Sequence, residues 1–223
     1  MTKIILLLAL NIMLIIGNTA KAQKGEWYSS SGGEMIFSFA SVDYPMSPDG
    51  QVMRFSPVFN FQSFVNYDFS HAAGFFSGVA VRNVGFIYKF QDTGQKKKFR
   101  NYDLGIPFGL KIGDLDRFYV YGGYEIEFPL NYKEKTFENE KKVEKFSVWF
   151  SKRTPSAYNT LFFGLQFPYG PNIKFKYYLN NFHNRNYTEA GGVKPYTDLK
   201  ANVFYVSLNF NIFRNTHFYY FHD

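Results

Sequence analysis

The chain has no cysteine, which excludes disulfides, thiolate metal sites and lipidation through sulfur. Long apolar runs are also missing. The stretch 4–17 is broken by Asn11 and is short for a membrane-spanning helix, and no other segment approaches eighteen apolar residues, so the sequence offers no helical anchor. There is no glycine-rich phosphate loop set between a strand and a helix. Acidic residues are outnumbered, 18 against 25 Lys and Arg, for a formal charge of +7. Many of the cations lie in loop-like stretches, which points to a solvated or lipopolysaccharide-facing rim rather than a nucleic-acid surface.

What is present is aromatic. Phe and Tyr number 28 and 18, and aromatics make up 22% of 223 residues, far more than a soluble domain needs but suited to a lipid-facing band with interfacial girdles. The N-terminus has Lys3, an apolar run and Ala20-Lys21-Ala22, the pattern of a signal peptide over 1–22 with a mature chain beginning at Gln23. Its removal lowers the formal charge by two.

Beyond it, apolar and polar residues alternate with the period of an extended strand. The last regular stretch is the most telling: Phe204, Val206, Leu208, Phe210 and Ile212 share one face, Val203, Tyr205, Ser207, Asn209 and Asn211 the other, and Phe213 ends the run. Seven further strands are expected at 34–42, 53–69, 74–90, 99–113, 118–132, 157–167 and 172–181. In the third of these the apolar residues change parity near Asn83, which fits either a β-bulge or a rim where the outer face no longer matters. Connections alternate between short turns near Ser70, Asp114 and Tyr169 and longer polar loops, including 91–98, 133–156 and 182–197, and the apolar patch of Phe146, Val148, Trp149 and Phe150 within 133–156 suits a short strand or helix folding over the mouth. The expected fold is an eight-stranded antiparallel transmembrane up-and-down β-barrel in the outer membrane, with both termini periplasmic. Residues 23–33 form a periplasmic lead, 34–213 the barrel and 214–223 an aromatic tail with Phe218, Tyr219, Tyr220 and Phe221 as a candidate partner contact.

A soluble barrel with an apolar inside competes with this. Its outer strand faces, however, would carry Lys, Glu and Thr, whereas the less apolar face here is mostly Gly, Ala, Ser, Asn and Tyr, as suits a narrow lumen filled by side chains. The alternation turns Arg82, Asp103, Lys111, Glu125, Glu127, Lys174 and Lys176 inward. Such a charge cluster either pairs and plugs the barrel or lines a narrow path for ions or small solutes.

The strand Tyr102-Asp103-Leu104-Gly105-Ile106-Pro107-Phe108-Gly109-Leu110-Lys111 resembles the L-x-I-P-L-x-L-K strand of the PorT-like outer-membrane barrels of Bacteroidota, with Phe108 in place of the usual Leu. The resemblance implies a small outer-membrane barrel and, for some relatives, a part in secretion or assembly. The expected role is a non-enzymatic scaffold or accessory subunit. Its expected partners are membrane lipid and lipopolysaccharide, the barrel-insertion machinery during biogenesis, and other envelope proteins, with no cofactor and no metal. A rim enzyme would need His183 and Asp198 to meet Ser151 or Ser156, and a metal site would draw on His71, His217, His222 and Asp223; nothing in the spacing brings either set together.

Overall fold

The structure is a computed structural model that describes residues 25–46 and 50–215, with side chains from 211 onward and that of Glu26 left out of the description. The expected signal peptide and tail aromatics, and the side chains of Ile212 and Phe213, lie outside the described residues. The chain forms β1 (Glu26–Asp43), β2 (Gln51–Val52), β3 (Arg54–Ser56), β4 (Phe61–Ser70), β5 (Ala73–Lys89), β6 (Lys96–Gly113), β7 (Tyr119–Glu138), β8 (Lys141–Trp149), β9 (Tyr158–Gln166), β10 (Pro171–Tyr178) and β11 (Lys200–Asn215). Eight of them close a ring, β1-β4-β5-β6-β7-β9-β10-β11, in which each strand is antiparallel to its neighbours. The closing strand meets the first strand as expected, from Ser29 opposite Asn215 to Asp43 opposite Lys200. Closure removes the open edges of the sheet, the condition for placing it in lipid, with one interrupted stretch beside 82–86 of β5.

The alternation of the sequence becomes an outside and an inside. On β6, Phe108, Leu110 and Ile112 are 57%, 59% and 56% exposed, whereas Asp103 and Lys111 are buried. On β11, Phe204, Leu208 and Phe210 face outward while Tyr205, Ser207 and Asn209 are buried. From Tyr102 to Ile112, a strand rising about 3.3 Å per residue and tilted by about 40° covers about 25 Å, the height of a lipid-facing band. Inward glycines make room for large neighbours. A Cβ on Gly105 would lie 2.0 Å from the Glu125 carboxylate and one on Gly109 2.3 Å from the Phe76 ring, so these positions set what the lumen holds.

Several expectations need correction. The 23–33 segment is not a lead, because β1 already runs from Glu26 and pairs with β4. Its Ser and Gly residues are strand residues fitted to a tight wall, with Ser31 donating to Ser63 at 3.0 Å and a bulge between Ser31 and Gly32. At the other end, Arg214 and Asn215 belong to β11 rather than to a tail. There is no bulge at Asn83: β5 and β6 stay in one register from Ala80 opposite Gly105 to Lys89 opposite Lys96. Val84, Phe86 and Tyr88 are buried, so the apolar residues there fill the mouth of the barrel instead of meeting lipid. Lys96, Lys97 and Lys98 continue β6, and 133–149 is not a loop but the upper part of β7 hairpinned to β8. Ladder hydrogen bonds need no apolar side chains, so strands extend past the membrane where hydropathy gives no signal.

The second barrel strand is interrupted. Between β3, which pairs with β1, and β4, the chain turns at Phe59 with φ 62°. Side chains replace the missing ladder bonds to β5. Asn60 accepts from the Asn83 amide at 2.7 Å, Arg54 donates to the Asn83 carbonyl at 2.9 Å, and Ser38 donates to the Gly85 carbonyl at 2.6 Å.

Candidate functional site

Among the described residues, the expected groups that the fold brings together lie in the lumen, which is organised in levels. At the turn-side end, Lys111 from β6 reaches Asp68 on β4, with the Tyr28 hydroxyl at 2.8 Å and Asn66 at 3.2 Å. Above it lies a void of about 40 Å³ bounded by Gln62, Phe76, Tyr121, Phe162 and Asn172 among others. That is room for a few water molecules and too little for a hydrated solute.

The next level is ionic. Arg82 on β5 contacts Glu125 on β7 through Nε at 3.2 Å and Nη2 at 3.3 Å, bonds Glu34 on β1, and lies 3.5 Å from Glu127. Lys174 on β10 reaches Glu34 at 3.0 Å. Lys176 reaches Glu125 at 2.7 Å and also bonds Glu127, whose carboxylate accepts a hydrogen bond from the Tyr178 hydroxyl. All six charged groups are buried. The network ties strands from all sides of the ring across its axis, and each partner offsets a desolvation cost that an isolated charge could not bear.

Of the expected inward charges, Arg82, Glu125, Glu127, Lys174 and Lys176 meet in this network, and Lys111 stands apart at its own pair. Asp103 is buried but forms no ion pair among the described residues. Glu34 was not expected in the cluster, although its parity with Ile36 and Ser38 on β1 carried the signal. It bridges Arg82 and Lys174.

Above the ions the lumen is aromatic. Tyr158, Tyr178 and Tyr205 are each at most 1% exposed, with Phe86 and Phe99 beside Phe182 and His183. Phe182, His183, Tyr196 and Leu199 come from the 179–199 connection, so the stretch expected as a polar loop folds into the mouth as a plug. Its polar composition hid this, because few of its side chains are involved in sealing, the four named and Tyr187, which packs against Tyr196. The Phe182 amide donates to the Ala201 carbonyl at 2.7 Å, and the Tyr158 hydroxyl donates to the Phe182 carbonyl at 2.6 Å.

His183 stacks on Tyr196, with ring centroids 4.1 Å apart and planes 7° apart. The Tyr132 hydroxyl lies 3.1 Å from its Nε2, 2.9 Å from Glu134 and 3.2 Å from the Tyr196 hydroxyl. Arg153 donates to Tyr196 at 3.1 Å, and Lys97 pairs with Glu134 at 3.2 Å. Burial, reinforced by the charges of Arg153 and Lys97, lowers the His183 pKa to about 3, so the imidazole is neutral. The rim-enzyme arrangement does not form: no hydrogen bond joins His183 to Asp198, Ser151 or Ser156 among the described residues, and Ser151 instead accepts from the Arg153 amide at 3.2 Å. Of the metal candidates, His71 lies exposed 3.6 Å from Asp116, and His217, His222 and Asp223 are outside the described residues.

No family model matches the chain, and no curated protein matches it, so the PorT-like resemblance stays confined to the β6 strand. Among solved structures, Ail of Yersinia pestis in complex with the heparin analogue sucrose octasulfate is 16% identical with a TM-score of 0.40, covering 86% of this chain and 100% of that one. OprG from Pseudomonas aeruginosa is 11% identical with a TM-score of 0.40, over 88% and 99% of the two chains. Neisserial surface protein A is 7% identical with a TM-score of 0.35, over 85% and 100%. At these identities and scores the fold assignment rests on the chain's own strand pairing: an antiparallel ring of eight, apolar outside and charged inside.

Proposed function

We propose that the protein is a non-conducting outer-membrane barrel that serves as a scaffold or accessory subunit of an envelope complex. The observation that carries this is the filled lumen: an ion-pair level spanning the axis, capped by a plug of Phe182, His183 and Tyr196. A barrel closed in this way offers partners its outer wall, its outer loops and the chain beyond β11. The outward apolar band supports placement in a membrane, and the short turns at Ser70–Ala73, 114–118 and 167–170 support a periplasmic location for that end. The hairpin of β7 and β8 rises from the upper edge of the band, where Trp149 is opposite Asn131 and so level with Tyr102, and it exposes Val143, Val148, Trp149 and Phe150, which makes it the leading contact among the described residues. The β6 resemblance to PorT-like barrels agrees with a role in secretion or assembly. Affinity purification of the full chain from its native membranes in mild detergent tests the proposal. Co-purification of an envelope protein in fixed ratio, lost on Trp149→Ala/Phe150→Ala, supports it; a protein that fractionates with the outer membrane but elutes alone refutes the scaffold role.

A further inference from the structure

The outer face of β6, β7 and β8 above the apolar band carries cations set directly opposite one another. Lys98 on β6 is opposite Lys135 on β7, and Lys135 is opposite Lys145 on β8. Arg100 is opposite Lys133 in the next outward row. Like charges paired across strands destabilise a sheet, and here three share one row. On the same strand, Lys96 is paired with Glu140 and Lys97 with Glu134. None of Lys98, Arg100, Lys133, Lys135 and Lys145 lies within ion-pair distance of a carboxylate among the described residues. Burial, with Arg54, Arg100 and Lys135 nearby, lowers the Lys98 pKa to about 8, and burial followed by the neighbouring cations lowers those of Lys133 and Lys135.

The height of this ladder is set by Tyr102, the uppermost outward residue of the apolar band on β6. Arg100 lies over its ring at 5.9 Å and Lys133 at 4.8 Å. The cations therefore begin one outward residue above the band, about 7 Å along the strand, where the headgroups of the surrounding leaflet lie. Beside them Arg54, 2% exposed, has an Nε–H with no acceptor among the described residues.

We propose that this ladder is a docking surface for the phosphate groups of the outer-leaflet lipid, the phosphorylated diglucosamine of lipopolysaccharide in an outer membrane. Several phosphate oxygens placed across the row neutralise charges that the protein leaves unpaired, and the Arg100 guanidinium supplies a two-pronged donor. The proposal rests on the outer-membrane placement given above, and it specifies which wall of the barrel the lipid holds.

The test uses the full chain in lipid nanodiscs of phosphatidylcholine doped with bisphosphorylated lipid A or with its fully dephosphorylated form, followed by native mass spectrometry of the retained lipid. The wild type should retain the phosphorylated form at least tenfold over the dephosphorylated one. Lys98→Gln/Arg100→Gln/Lys133→Gln should cut that ratio to below threefold, whereas Lys194→Gln/Lys200→Gln, on and just before β11 across the ring from β6, should leave it unchanged. Equal retention of the two lipids by the wild type, or an unchanged ratio in the triple variant, overturns the proposal. If the triple variant does not fold, the exposed Lys145→Gln should still lower the ratio, and no change there overturns it. A further readout separates docking from a structural role. In phosphatidylcholine alone the variants should unfold at the same or higher temperature than wild type, and a lower temperature refutes the uncompensated-repulsion basis. Cell fractionation tests the underlying placement separately: a chain absent from the outer membrane sinks that placement without altering the binding ratio.

Discussion

Replacing Arg82 with Met keeps most of the side-chain volume and removes the cation that three carboxylates share. Glu34 would retain Lys174, while Glu125 and Glu127 would share Lys176, with Asp103 already outside any ion pair among the described residues. Four buried carboxylates would then face two ammonium groups in a lumen where Arg82, Glu34, Glu125 and Glu127 are at most 3% exposed. Breaking a buried pair by removing one partner costs about 3–5 kcal/mol, a large share of the roughly 5–15 kcal/mol that holds a domain folded. The second half of the cycle is diagnostic. Adding Glu125→Gln to Arg82→Met removes one stranded charge, and coupling between touching groups should restore about 1–3 kcal/mol. Urea unfolding in phospholipid vesicles, followed by tryptophan fluorescence and by the gel mobility of unboiled samples, measures both. A single-variant loss below about 1 kcal/mol, or a double variant less stable than Arg82→Met, would show that the ionic level does not stabilise the barrel as described.

Four other outcomes follow from the same geometry. Asp103→Asn removes a buried carboxylate that has no ion pair among the described residues, and in the same assay it should be neutral or stabilising, up to about 2 kcal/mol; a loss above 1 kcal/mol contradicts the placement. His183 has a folded pKa of about 3, below its ordinary 6.5, so its contribution is complete above pH 6.5 and is lost as pH falls toward 3. Lowering pH from 6.5 to 4.5 should therefore cost about 2 kcal/mol, an increment that vanishes in His183→Phe; an identical pH dependence in that variant refutes it. Phe108→Arg, at the middle of the outward band, should cost about 2–4 kcal/mol in vesicles, and no loss would mean that this wall does not face lipid. Gly105→Ala pushes a methyl group into the Glu125 carboxylate and should cost about 1–3 kcal/mol through displacement of the ionic level, a cost that should shrink when the same substitution is made in a Glu125→Ala background.

The barrel was legible because one physical rule acts along its whole length in the membrane. Leu104 to Ile112 and Phe204 to Phe210 must alternate, since each strand separates lipid from lumen. The inward charges were read from the same parity, and Arg82, Glu125, Glu127, Lys174 and Lys176 lie together inside the ring. Outside the band the rule lapses. Val84, Phe86 and Tyr88 changed the hydropathy pattern without changing the backbone register, because the mouth of the lumen there is apolar. Lys96 to Lys98 and Lys133 to Glu138 looked like loop because charge is compatible with a strand in water. The plug was hidden for a different reason. Phe182, His183 and Tyr196 lie within a polar segment, and their burial depends on contacts with Phe86, Phe99 and Tyr132 from three distant strands.

The central claim is that the lumen is sealed, and planar-bilayer recording of the purified, reconstituted full chain tests it most directly. The account predicts no stable unitary conductance at neutral pH, and the appearance of one when the plug is opened by Phe182→Gly/His183→Gly. Stable conductance in the wild type that changes on Glu125→Gln or Glu127→Gln would contradict it.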